Sequence, residues 1–251
     1  MIELKTASEI DDLRATGHLV ARTLDTVRAH AQVGTALRDL DALARDVLTD
    51  AGAHPVHHSR AREPFPGAIS TSVNDAIVRG VPDHTRLTDG DLLSVSCAAR
   101  LHGWVAAAAI TVIVGTAQPG DTALVRTADD ALADGISAAR PGARTGDLSH
   151  AIGVVGRSAG YGVPAGLGGH GVGRDLREHP PVPNDGHPGT GVPLRPGVVL
   201  TVEPVLLAGG SDTTDLDDNG WTMRSGDGSR AAHVGHTVAI TADGPLVLTT
   251  P

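Results

Sequence analysis

The sequence predicts an α+β chain forming a single domain over residues 1–251, built from two pseudo-symmetric halves of about 7–115 and 119–251. Three observations predict it. Apolar residues recur at helical spacing in two early segments and again in two mid-chain segments. Strand-like runs follow each helical pair. Residues of the second helix in each half also match at one fixed offset: Gly34 with Gly142, Asp39 with Asp147, Leu40 with Leu148 and Gly52 with Gly160. Four matches at one offset suggest duplication.

Taken in order, Ser8 followed by Ile10 and Asp11 reads as a capped start to a helix. Ile10, Leu13, Val20, Leu24 and Val27 form its apolar stripe, and Gly34 ends it. Thr35 can cap a second helix that turns Leu37, Leu40, Leu43, Val47 and Leu48 inward and stops at Gly52. A loop with His57, His58, Pro64 and Pro66 leads to strand-like runs at 68–72, 76–79, 91–99 and 104–114. Asp121 opens the third helix, which Pro141 and Gly142 interrupt, and Thr145 opens the fourth, which reaches Gly160. The Gly- and Pro-rich stretch 162–197 reads as punctuation within the second half.

A chain of 251 residues, 40% hydrophobic, can bury a full core. Its 20 basic and 29 acidic residues give a net charge of −9 without a basic tract, and aromatic residues are only 2%. Nucleic acid is thereby excluded as a partner, since it demands clustered positive charge and, when single-stranded, stacking rings. The lone Cys97 excludes an internal disulfide and fits a reducing compartment. Met1 to Thr6 lacks a basic stretch followed by an apolar run, and no apolar segment is long enough to span a bilayer. A cytoplasmic location with no membrane partner is therefore expected.

Chemistry concentrates around Gly168-Gly169-His170-Gly171, where glycines flanking a histidine leave room for an imidazole to face a cavity. Glu203 ends the apolar run Val198 to Val202, so its carboxylate is delivered to a half-buried place that demands a partner. Further anchors are Ser70 to Asp75 leading to Gly80-Val81-Pro82, then Gly90 to Leu93, Asn219-Gly220-Trp221-Thr222 and His236-Thr237-Val238. In order and spacing these segments resemble type I methionine aminopeptidases of the creatinase/aminopeptidase, or pita-bread, family. The resemblance covers nearly the whole chain and implies the pita-bread fold, with a cavity where the two halves of a curved antiparallel sheet meet.

Members that cleave N-terminal methionine are dinuclear metallohydrolases with Asp, Asp, His, Glu and Glu as ligands, and the resemblance places those positions at Ser96, Ala107, His170, Glu203 and Gly235. Only the third and fourth match. An un-ionised hydroxyl is a poor ligand and a methyl group none, so neither a metal nor any other cofactor is expected. Two substrate-handling histidines of the family fall at Arg79 and Arg177, which would make the pocket tolerant of anions. Ser96, Trp221 and His233, the last sharing a strand face with Gly235, complete the expected substrate contacts.

Plainer readings stand beside these. His170 could be a structural histidine among glycines, and Glu203 could form a buried ion pair with Arg79 or Arg177. A nucleophilic set of Ser96, His170 and Glu203 is conceivable but needs an in-line geometry that metal ligands rarely leave behind. Cys97 belongs to the core by strand alternation, and His57, His58 and His102 belong to solvated loops. The preferred expectation is a metal-independent enzyme that does not hydrolyse N-terminal methionine. It would use His170 and Glu203 for acid/base work and Arg79 and Arg177 to hold a small carboxylate- or phosphate-bearing substrate. The alternative is a pseudopeptidase that binds a peptide in its cleft, and an active metalloaminopeptidase ranks last.

Overall fold

A computed structural model describes residues 2–57 and 64–250, so the expectation of a solvated His58 lies outside the described residues. The chain begins with α1 (Ala7–His30), α2 (Leu37–Asp50), β1 (His54–Pro55), β2 (Ile69–Val73), β3 (Ala76–Val78), β4 (Leu92–Leu101) and β5 (Trp104–Ile113). It continues with α3 (Asp121–Ala138), α4 (Thr145–Ser158), β6 (Gly168–Gly171), β7 (Glu178–Pro183), β8 (Val199–Val202) and β9 (Val205–Leu207). The last strands are β10 (Thr214–Leu216), β11 (Met223–Ser225), β12 (Ala231–His233), β13 (His236–Thr241) and β14 (Gly244–Val247).

Local chemistry sets the helix ends. Thr6 rather than Ser8 caps α1, through reciprocal bonds in which the Glu9 amide donates to Thr6 Oγ1 at 3.3 Å and the Thr6 amide donates to Glu9 Oε2 at 2.9 Å. Thr35 does not cap α2, because its hydroxyl donates instead to the His30 carbonyl at 3.1 Å and closes the preceding turn. Asp41, buried on α2, accepts from the amides of Ala68 and Ile69 and so ties the helix to the start of β2.

In one sheet β4 carries β5 on one edge and both β2 and β1 on the other, all antiparallel. Its inner face meets α1 and α2 through Leu24, Leu40, Leu48, Ile69 and Val95, which are essentially inaccessible to solvent. A second sheet runs β14-β13-β8-β6-β7. It packs through Leu200, Val202 and Val238 on Leu124, Leu132, Leu148 and Ile152 of α3 and α4. The sheets join where Ala109 and Gly235 exchange two backbone hydrogen bonds of 3.0 Å. Thr237 reinforces the seam, since its Oγ1 accepts from the Ala107 amide at 3.0 Å and donates to the Ala107 carbonyl at 2.7 Å. Among the described residues no helix is long and apolar enough to cross a membrane.

Candidate functional site

Beside this seam a cleft, partly open to solvent, is lined by His170, Glu203, His233, Ser96, Arg79, Arg177 and Trp221. All seven side chains expected from the sequence thus line one space. The strands deliver them, because β6, β8 and β12 end there.

His170 is held from both sides. Its amide donates to Thr201 Oγ1 at 3.0 Å, and its Nδ1 lies 3.0 Å from the Gly171 carbonyl. A carbonyl only accepts, so Nδ1 carries the proton and Nε2 is turned to Glu203, 3.7 Å from Oε1. His233 is aimed at the same carboxylate from β12, with Nε2 3.6 Å from Glu203 Oε2. A hydroxyl pair fixes its backbone: Thr111 Oγ1 accepts from the His233 amide at 3.0 Å and donates to the His233 carbonyl at 2.9 Å, while Ser94 lies 2.8 Å from that hydroxyl. Asn184 holds the Glu203 carbonyl at 2.9 Å.

Glu203 therefore partners two imidazoles, not Arg79 or Arg177 as an ion pair between carboxylate and guanidinium would require. Burial alone would raise its pKa, but His233, His170 and the Thr201 hydroxyl outweigh burial and hold it down at about 2. A group depressed in the folded chain stabilises it above the unfolded value, about 4.3, and that contribution is lost as pH falls through the folded value. Melting temperatures of wild type and Glu203→Gln, measured from pH 6 to pH 2, are expected to converge below about pH 4.3. A gap that stays constant across that range would contradict this electrostatic assignment.

The remaining residues divide clearly. Ser96 sits half-buried in the cleft wall, but no relay forms with His170, whose two ring nitrogens are directed at Gly171 and Glu203. Cys97 is buried as expected, and burial pushes its thiol up to about 12, so it stays protonated. The Ala106 to Ala109 run serves both packing and the cleft, with Ala107, Ala108 and Ala109 on the wall. Arg79 adopts a left-handed backbone, φ +59°, and Thr222 Oγ1 donates to its carbonyl at 3.3 Å, which couples it to the Trp221 loop. Arg177 is exposed at the rim. Its neighbour Glu178 does not pair with it but anchors the turn, accepting from the Arg174 amide at 2.7 Å and from buried Lys5 at 2.9 Å.

Two residues were missed by sequence reasoning. His57 is not a solvated loop residue: it lines the cleft, stacks on Phe65 at 4.6 Å, and burial lowers its pKa. Phe65 meets Trp221 edge-on at 5.5 Å, forming an aromatic wall. Scarcity was the available signal, since Phe65 is the chain's sole phenylalanine and Trp221 one of two tryptophans. His102 is exposed, as expected.

The inner end of the cleft offers one carboxylate and two imidazoles. Among the described residues no group of three or more His, Cys, Asp or Glu side chains is placed to hold a metal ion. This donor set does not fit a pair of divalent cations, which requires several converging anionic ligands.

Residues 11–242 match the model of metallopeptidase family M24. The chain is 41% identical over 259 residues to methionine aminopeptidase 1 of Mycobacterium tuberculosis, covering 99% of this chain and 95% of that protein. Methionine aminopeptidase 1 of Bacillus subtilis is 36% identical, with 99% of each chain covered. The crystal structure of methionine aminopeptidase from Thermotoga maritima superposes with a TM-score of 0.95 at 36% identity, covering 100% of both chains. The pita-bread fold expected from the sequence is thus the fold observed. These relatives overturn the expectation of a metal-independent enzyme for anionic substrates, and equally that of a pseudopeptidase unable to hydrolyse N-terminal methionine. That expectation weighed a few ligand positions, whereas the likeness to methionine aminopeptidases runs through the entire chain. The arginines also do not make the inner end cationic, because Glu203 occupies it.

Proposed function

This chain belongs to metallopeptidase family M24, and on that premise we propose that it acts on peptides with a free N-terminal methionine, releasing that residue by hydrolysis. The observation that carries the reading is an apolar recess ending at a half-buried carboxylate. Phe65, Trp221, Leu176 and Val205 form a recess suited to an unbranched, polarisable thioether, which packs well against aromatic ring edges. Water adds across the first peptide bond, giving free methionine and the shortened peptide. Glu203 and His170 Nε2 are the proton-accepting atoms facing that bond, and Arg79 and Arg177 donate to peptide carbonyls nearer the rim. No step is assigned to a metal, because the described donor set does not fit a metal pair. The cytoplasm, where Cys97 stays reduced, is the compartment that goes with this reading.

The test is methionine release from Met-Ala-Ser, followed by mass spectrometry with manganese, iron, cobalt or zinc supplied in turn. Release is expected, and Glu203→Gln should lower its rate roughly a hundredfold or more. Absence of release with every cation would overturn the proposal.

A further inference from the structure

The sole lysine among the chain's 20 basic residues is buried. Lys5 sits immediately before the Thr6 cap of α1, and its amide donates to the Gly197 carbonyl at 2.7 Å, so its backbone is fixed at two places. Only 1% of its side chain is exposed. The stem lies along Gly173, where a Cβ would come within 2.5 Å of Lys5 Cε and 2.7 Å of Nζ. A slender stem with a compact charge fits that space, and the broader guanidinium of arginine does not.

The ammonium is directed at one turn. Lys5 Nζ donates to Glu178 Oε2 at 2.9 Å and to the exposed Glu3 at 3.1 Å. With its other oxygen Glu178 accepts from the amides of Arg174 at 2.7 Å and Asp175 at 3.2 Å. The turn 173–177 is thus drawn onto a carboxylate that the lysine holds. The β4–β5 hairpin also grips it: the Arg174 guanidinium lies 3.5 Å over the Trp104 ring, and Arg100 donates to the Arg174 carbonyl. The same turn gives Leu176 and Arg177 to the cleft wall. A buried ammonium is costly, and an apolar side chain of similar length would fill the space without that cost. What the charge adds is direction, because it fixes where the Glu178 carboxylate and the amides bonded to it stand.

Resting on the peptide reading above, we propose that Lys5 is a positioning residue for peptide binding: through Glu178 it sets the place of Leu176 and Arg177 in the cleft wall. The segment preceding α1 thereby shapes the recess from outside it, since Lys5 itself does not line the cleft. Its influence falls on how well a bound peptide is gripped. The proton-accepting atoms of Glu203 and His170 stand on other strands and keep their places without it.

Lys5→Met, which keeps the stem and removes the charge, tests this in two ways. In hydrogen exchange the amides of Arg174 and Asp175 are expected to exchange at least about tenfold faster than in wild type, while α3 and α4 keep their protection. In methionine release from Met-Ala-Ser, with the cation that supports wild-type release, KM should rise about tenfold and kcat stay within about twofold. Lys5→Met combined with Glu178→Gln should recover part of the lost KM, because no carboxylate is then left without its cation. Glu3→Gln should match wild type in both measurements. A lowered kcat at unchanged KM, or unaltered exchange in the turn, would overturn the inference, since Lys5 would then serve only the stability of the fold. Should Lys5→Met fail to fold, Glu178→Gln alone carries the same two measurements. A wild type that releases no methionine would overturn the peptide reading, and the exchange measurement would still decide whether Lys5 holds the turn.

Discussion

Gly169→Ala is expected to destabilise the chain by roughly 3 kcal/mol or more and to abolish function in whatever fraction still folds. A Cβ at this position would press on the Thr201 carbonyl, 2.7 Å from its carbon and 3.2 Å from the Thr201 hydroxyl. Both contacts are with β8, the strand whose Thr201 holds the amide of His170. Backbone cannot rotate aside as a side chain can, so β6 would have to move away from β8 and carry His170 out of line with Glu203. For a chain of this size such a loss corresponds to a fall in melting temperature of roughly 6 °C or more. Gly34→Ala is the control: its Cβ would meet open space at φ +90°, so only backbone strain of about 1 kcal/mol is expected. Thermal unfolding of the two variants checks this. Similar, small shifts in both would show that close approach at Gly169 is not the constraint.

Replacing Ser96 with Asp, Ala107 with Asp and Gly235 with Glu together is expected to lower the melting temperature by roughly 10 °C without metal, and manganese or cobalt should reverse that loss. The three positions surround Glu203. Ser96 and Ala107 line the cleft, and a Cβ on Gly235 would lie 2.9 Å from Glu203 Cγ. Four carboxylates in a partly buried space repel one another until cations arrive, and binding to the folded state alone then stabilises it. In wild type, whose described residues hold no metal cluster, the same cations should produce a far smaller shift. Scanning calorimetry with and without each cation measures both. An equal cation-dependent rise in the two proteins would mean that the native donor set already holds metal and that its fit has been misjudged.

Much of this molecule was legible in one dimension. The helices announced themselves because Leu13, Val20, Leu24 and Leu40 recur at the period that buries one helical face, and Gly34 and Gly52 follow them with positive φ. The strand reaching Glu203 was equally plain, since an apolar run ending in a carboxylate fixes where that carboxylate goes. The start of α1 was displaced by two residues and that of α2 by one, because Thr6, Ser8 and Thr35 can all supply a capping hydroxyl and only the path of the preceding chain selects among them. Glu203 was correctly placed at the site, yet its partners could not be read from sequence: Arg79, Arg177, His170 and His233 all line one cleft, and the two imidazoles are the groups in range.

The sequence by itself determined the fold, through periodicities and turn residues that act over a few positions, and determined which residue types reach the cleft. Tertiary structure alone decided how those residues meet. His233 faces Glu203 because Ser94 and Thr111, more than a hundred residues earlier in the chain, grip its backbone across the sheet seam. His57 and Phe65 both line the cleft and pack ring on ring there, which their positions in the sequence did not reveal. Such pairings depend on distances of a few tenths of an ångström between segments far apart in the chain, and only the packing of the two sheets fixes distances on that scale.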